Sequence, residues 1–368
     1  MSFNLETPVR VISGENAVVD NAFMLKKFGR KCLIVTSGSA AVKSGALDDI
    51  KTALENEKIE YRIFDSITEN PKTSDCFEAG EKARKFGADF IIGTGGGSPL
   101  DAAKAIAVYT ANPKISSPDL IYTSPVENKP LPVVLIGTTA GTGSEVTCVS
   151  VLTNETGKKK SVKGKNYYAA VVLADCKYTY SMPFSVTVST ALDALCHATE
   201  SYLSAKADER SREYSEKAVS LVWNELVSLL KTQKCPDEKQ RDRLYDASIY
   251  AGLAIEKTGC CFPHTVGYFL TEKHGVPHGR ACAVFLPEYV KRGLEFKPEM
   301  TSRLFGIINT DFADFEKTVL SLADVKINLD KNELENYLAN WEKAANFDNS
   351  PGGFSKEDAK CLIEKLFK

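Results

Sequence analysis

The stretch that decides the architecture is Ile91–Ala107, IIGTGGGSPLDAAKAIA. A short apolar run rich in isoleucine ends in Gly95, Gly96 and Gly97. Ser98 then stands where a helix would be capped, and Pro99 falls at its first position, where a missing N–H costs nothing. Strand, glycines, helix is the layout that turns free backbone N–H groups and the positive end of a helix dipole toward an anion, with glycines allowing close approach. It reads as a pyrophosphate cradle, and the plainer alternative is an ordinary tight strand-to-helix turn. The spacing is neither a strict G-x-G-x-x-G nor a phosphate loop ending in Gly-Lys-Ser/Thr.

Working outward, the same grammar repeats on both sides. Apolar β-branched runs at 31–37, 59–65, 89–97, 132–139 and 167–175 alternate with helical patterns such as KSGALDDIKTALENEK and SDCFEAGEKARKFG. Continuous apolar strands separated by helices predict a parallel sheet buried on both faces, a Rossmann-like α/β domain. A second loop, GTTAGTGSEVT (137–147), follows the fourth of these runs and supplies the hydroxyls of Thr138, Thr139, Thr142 and Ser144. Two such loops at carboxyl ends of parallel strands suit a dinucleotide lying across the sheet edge. Asp65, at the end of the second run, precedes the glycine loop instead of following it by about 20 residues, so it reads as a solvated strand end.

Past about Met182 the strand signal fades, and helical periodicity takes over in SREYSEKAVSLVWNELVSLLK and KQRDRLYDASIYAGLAIEK. The expectation is therefore an α/β domain over 1–180 and an all-α domain over 181–368, closely joined, with a cleft between them. A chain of 368 residues with 43% hydrophobic content can fill two cores. With 46 basic and 48 acidic residues there is no net field to attract DNA or RNA, so nucleic-acid binding is not expected. The apolar runs are too short to cross a bilayer, and the start, MSFNLETPVRVISG, lacks the charge and apolar order of a secretion signal. The ten cysteines are thus expected to be reduced thiols in a cytoplasmic protein.

All four histidines, His197, His264, His274 and His278, fall in the helical half. In TALDALCHATESY (190–202), Asp193 and His197 are four apart on one helix face, a spacing that serves a helix-surface hydrogen bond or a shared ion. In FPHTVGYFLTEKHGVPHG (262–279), His274 and His278 are also four apart, but Gly275 and Pro277 between them argue against one helical turn. One carboxylate and up to three imidazoles match a divalent ion such as Zn²⁺ or Fe²⁺ with a position open for substrate. Cys196, Cys260, Cys261 and Cys282 lie near these residues in sequence, yet their spacing follows no zinc-finger pattern, and they read as buried free thiols.

Taken together, GTGGGSPLDAAKAIA, IGTTAGTGSEVT, DALCHATESY and HTVGYFLTEKHGVPHG resemble the motifs of the iron-containing (group III) alcohol dehydrogenase family, in its order and spacing and over nearly the whole chain. The resemblance implies a metal held by Asp193, His197, His264 and His278, the last two 14 residues apart. It leaves His274 as a non-ligand histidine near the substrate, fit to pass a proton. It also implies pyrophosphate at Gly95, Gly96, Gly97 and Ser98, cofactor contacts from Thr138 and Thr147, and a supporting role for Asp101 and Lys104. Tyr268 stands where many relatives carry a further histidine, which removes a proton-relay group from that position.

Where NAD-preferring relatives often have an aspartate, this chain reads Thr36-Ser37-Gly38-Ser39. Small hydroxyl residues accept a 2′-phosphate that a carboxylate would repel, so NADP(H) is expected over NAD(H). The implied activity is hydride transfer between a nicotinamide and a small alcohol or aldehyde, in a chain that admits a homo-oligomer and needs neither membrane nor nucleic acid. A lyase of the dehydroquinate synthase type would need more basic residues near the metal than Lys273 and Arg280. A non-catalytic nucleotide-binding protein would have no use for Asp193 with three histidines.

Overall fold

The computed structural model describes residues 3–6, 9–342 and 344–367. The chain divides into two compact units, Met1–Met182 and Pro183–Lys368.

The N-terminal unit is built on strands β1 (Phe3–Glu6), β2 (Arg10–Ser13), β3 (Lys31–Val35), β4 (Glu60–Phe64), β5 (Phe90–Gly95), β6 (Val133–Gly137), β7 (Val149–Thr153), β8 (Lys159–Lys163) and β9 (Val171–Ala174). Seven of them form one sheet in the order β1-β2-β9-β6-β5-β3-β4. Strands β2 to β4 along that order run parallel, and β1 pairs antiparallel with β2. β5 and β6 are buried at every position, as the unbroken apolar runs require of strands covered on both faces.

Helix α1 (Ala46–Asn56) turns Ala46, Leu47, Ile50, Ala53 and Leu54 into a core shared with Cys32, Ile34, Phe90, Ile92, Val134 and Ile136. Helix α2 (Thr73–Phe86) packs against α3 (Gly97–Ala111), which is buried from Pro99 to Thr110 except at Asp101. From β3 the chain moves outward to β4 and then crosses to the other side of β3 for β5. The sheet's switch point therefore lies at the carboxyl ends of β3 and β5, where a doubly wound sheet opens a crevice.

Three features depart from the sequence reading. The strands β1 and β2 are four-residue pieces, too short to show a pattern that marks them. β7 and β8 form a separate antiparallel hairpin within the α/β half, with alternating burial along β7 that a search for continuous apolar runs passes over. Helix α3 also starts earlier than expected. Gly96 takes the capping position in extended backbone without a side-chain cap, and Gly97 is the first helical residue. Ser98 is instead inside the first turn, where its Oγ accepts from the Asn70 N–H at 3.2 Å. Pro99 remains harmless there, since the first N–H groups of a helix have no partner within it.

Among the described residues the C-terminal unit contains helices and no strand. Its long members are α4 (Phe184–Leu203), α5 (Glu209–Thr232) and α6 (Glu238–Thr258), followed by α7 (Phe262–His274), α8 (His278–Ala283), α9 (Leu286–Phe296), α10 (Pro298–Ile308), α11 (Phe312–Ala323) and α12 (Lys331–Tyr337). Asp208 and Asp237 cap α5 and α6 in reciprocal capping boxes. α4 is buried almost all round, the mark of a central helix, and packs against α5, α6 and α8. No described helix is long and apolar enough to cross a membrane.

Candidate active site

In the helical unit the sequence-predicted ligands converge on α4. Asp193, His197 and Glu200 occupy positions i, i+4 and i+7 of this helix, all buried on one face. α7 begins at Phe262 because Pro263 suits a first turn, which brings His264 to the same place. α8 starts at His278 behind Pro277 and lies directly against α4. The approach is so close that a Cβ on Gly279 would stand 1.8 Å from the Ser189 carbonyl oxygen and 2.9 Å from the Asp193 Cβ.

The geometry is that of a donor cage. His264 Nε2 lies 3.4 Å and His278 Nε2 3.8 Å from Asp193 Oδ1. The His197 ring stacks on His264 with centroids 4.4 Å apart. Ligand atoms of Asp193, His264, His278 and Cys282 all lie within 4.8 Å of one another, as do those of His197, Cys260 and His264. Asp193 Oδ1 and His264 Nε2 are buried without a hydrogen-bond partner. Buried polar atoms are rarely left so, and a carboxylate oxygen facing an imidazole nitrogen is a donor pair that could hold a divalent cation. Burial by itself would raise the Asp193 carboxyl, but His197, His278 and His264 around it hold it well below the usual carboxylate range.

Glu200 was not found from the sequence, although its seven-residue spacing from Asp193 was there to read. Its Oε1 lies 2.5 Å from His264 Nδ1, and its Oε2 accepts the Cys261 N–H at 2.7 Å. A carboxylate on Nδ1 fixes the tautomer that leaves the Nε2 lone pair free for a metal. His274 stands apart at the end of α7. Its ring meets Phe269 edge-on, and its Nε2 lies 3.6 Å from Glu333 Oε2; it joins neither donor set. Tyr268 stacks on His278, and burial pushes its phenol up, so it stays neutral. All ten cysteines are free thiols.

In the N-terminal unit, the predicted cofactor residues gather at adjacent strand ends. Ser37, Gly38 and Ser39 follow β3, Gly95 to Ser98 follow β5, and Thr138, Thr139 and Thr142 follow β6. Gly95 has φ +141°, and a Cβ there would lie 2.4 Å from Pro99 Cγ, so only glycine lets the chain turn from β5 into α3. A Cβ on Gly97 would lie 2.9 Å from Thr142 Cγ2, which shows how closely the two loops sit.

Asp101 and Lys104 lie beneath the second loop. The Asp101 carboxylate accepts from Ser144 Oγ at 2.5 Å and from the Val151 N–H at 2.9 Å. The fully buried Lys104 ammonium donates to the Ser144 carbonyl, 2.6 Å, and the Val149 carbonyl, 2.7 Å, and lies 3.4 Å from Thr147 Oγ1. Both support the loop from within, as does Thr147. Asp65 is exposed, as a solvated strand end should be.

The family model "Iron-containing alcohol dehydrogenase" matches residues 8–176, and "Fe-containing alcohol dehydrogenase family, C-terminal" matches 187–346. The chain is 34% identical to long-chain-alcohol dehydrogenase 1 of Geobacillus thermodenitrificans, over 77% of this chain and 71% of that one. It is 28% identical to an NADPH-dependent butanol dehydrogenase of Clostridium saccharobutylicum, over 82% and 78%. The crystal structure of an iron-containing alcohol dehydrogenase from Thermotoga maritima superposes with a TM-score of 0.90 at 33% identity, covering 99% of each chain. With a parallel sheet ending in glycine loops, a helical unit presenting an acid among histidines, and matches across both, this chain belongs to the iron-containing alcohol dehydrogenase family.

Proposed function

We propose that this alcohol dehydrogenase interconverts small alcohols and aldehydes with NADP(H) in preference to NAD(H), and that Asp193, His197, His264 and His278 hold one divalent ion. The observation carrying the metal assignment is the buried pair Asp193 Oδ1 and His264 Nε2, left without hydrogen-bond partners among further imidazoles. Bound there, the ion supplies Lewis acidity toward an alcohol or aldehyde oxygen.

The chain's own residues do the remainder. Glu200 keeps His264 in its metal-binding tautomer. The Gly95–Ser98 turn and the α3 N-terminus bind pyrophosphate, while the loop after β6, braced by Lys104 and Asp101, orients the rest of the cofactor. His274, beside Glu333, takes the proton released when alcohol is oxidised and passes it to solvent. The NADP(H) preference is supported by Ser37, Gly38 and Ser39 at the end of β3, a stretch with no carboxylate to repel a 2′-phosphate. A phosphate-eliminating lyase is disfavoured because the nearby cations are engaged: Lys273 pairs with Glu333, and Arg280 donates to the Ala323 carbonyl.

The test is oxidation of NADPH and NADH by the purified protein with a panel of short aldehydes. A higher kcat/KM with NADPH is the expected result. Equal or higher values with NADH remove the cofactor assignment, and no turnover of any aldehyde removes the substrate class.

A further inference from the structure

This inference rests on the metal reading above and concerns one more donor. The thiol of Cys282 joins Asp193, His264 and His278 in a set whose ligand atoms all lie within 4.8 Å of one another, around the unpartnered Asp193 Oδ1 and His264 Nε2, and so adds to the donors that already include His197. Cys282 follows His278 by one turn of α8 and is fully buried. Its Sγ lies 3.8 Å from His278 Nδ1 and 3.9 Å from His278 Nε2.

Bond lengths of 2.0–2.3 Å to nitrogen, oxygen and sulfur place tetrahedral zinc ligands roughly 3.3–3.8 Å apart. The separations along this set are 3.4 Å from Asp193 to His264, 3.8 Å from Asp193 to His278 and 3.9 Å from His278 to Cys282. A sulfur 3.9 Å from His278 Nε2 and within 4.8 Å of the Asp193 and His264 ligand atoms is close enough to share an ion with them.

We infer that Cys282 is itself a metal ligand of this chain, adding a sulfur donor to the carboxylate and imidazoles and tilting the site toward zinc over iron. On binding, a metal–sulfur bond forms and the thiol proton leaves to solvent. Thiolate is the softest donor in the set, and soft donors favour zinc among the available divalent ions.

The test strips the full-length protein with a chelator and reloads it with Co²⁺ alone. Cobalt content and near-ultraviolet absorption are then read for the unsubstituted chain and for Cys282→Ala, Cys282→Ser and Cys260→Ala. The expected result is one equivalent of cobalt with a sulfur-to-cobalt charge-transfer band in the unsubstituted chain and in Cys260→Ala. That band disappears in both Cys282 variants while cobalt stays bound. Stoichiometric cobalt without the band in the unsubstituted chain overturns the sulfur ligand and leaves the metal site standing, as does a band that survives in the Cys282 variants. Failure of the unsubstituted chain to bind cobalt at all overturns the metal reading itself. Loading from equimolar zinc and iron gives a second readout that needs only the near-isosteric Cys282→Ser. Its zinc-to-iron ratio is expected to fall at least about tenfold, the scale of a perturbed metal shell, and an unchanged ratio overturns the proposal.

Discussion

The Nδ1 atom of His264 lies 2.5 Å from the Glu200 carboxylate, and both side chains are buried. The pair ties α7 to α4 and decides which imidazole nitrogen faces Asp193. Glu200→Gln keeps the shape but replaces a charged acceptor with an amide that can present either oxygen or NH₂ to Nδ1. Metal affinity is expected to fall about 10- to 100-fold, the usual cost of losing an outer partner of a metal-binding histidine. Competition against a chelator of known affinity measures it, and an unchanged dissociation constant would show that Glu200 does not orient the ring.

Gly279 sets how closely α8 approaches α4. Gly279→Ala would put a methyl carbon 1.8 Å from the Ser189 carbonyl oxygen, against backbone that cannot swing aside as the end of a flexible side chain can. The expected loss is roughly 3 kcal/mol or more of stability, with a fall in bound metal as His278 withdraws from Asp193. Denaturant unfolding and elemental analysis on the same samples check both, and a variant with unchanged stability contradicts the packing described.

Stability should also carry a pH signature from Asp246 on α6. Burial raises this carboxyl to about 6, with Asp242 one turn away adding to the effect. A carboxyl whose folded pKa lies above its unfolded value costs nothing while protonated in both states, below about pH 4. The cost grows as pH rises toward 6 and is complete above it. Asp246→Asn removes that dependence. The variant's unfolding free energy, relative to the unsubstituted chain, is therefore expected to rise by about 1–3 kcal/mol between pH 4 and pH 8. A difference that stays flat or falls over this range would contradict it.

Cofactor choice turns on the end of β3. Ser37→Asp introduces a carboxylate at the switch point of the sheet, where a 2′-phosphate would be repelled. The ratio of kcat/KM for NADPH over NADH is expected to drop at least about tenfold, equivalent to about 1.4 kcal/mol, with the NADH value little changed. Equal losses with both cofactors would place the 2′-position elsewhere.

How much of this was legible beforehand depends on how each element is buried. β5 and β6 were plain in the sequence because strands covered on both faces are apolar at every position. β7 was not, since a hairpin strand with alternating burial shows a weaker pattern, and β2 is too short to show one. The glycine loop was readable, but its cap was misplaced by two residues because Gly96 and Gly97 enter the helix directly and Ser98 is drawn to Asn70. Asp193 and His197 shared a helix and could be paired by spacing. Glu200 and Cys282 gain their meaning only when α4, α7 and α8 meet, which spacing along one helix does not reveal.

The central claim is that Asp193 and the histidines hold a divalent ion on which catalysis depends. The direct measurement is aldehyde-dependent NADPH oxidation followed through chelation and reloading, with metal content determined at each step. Activity is expected to vanish as the last metal is removed and to return in proportion to the ion restored, with neither loss nor recovery in an inactive Asp193→Ala variant. Turnover that persists in fully metal-free protein would contradict the claim.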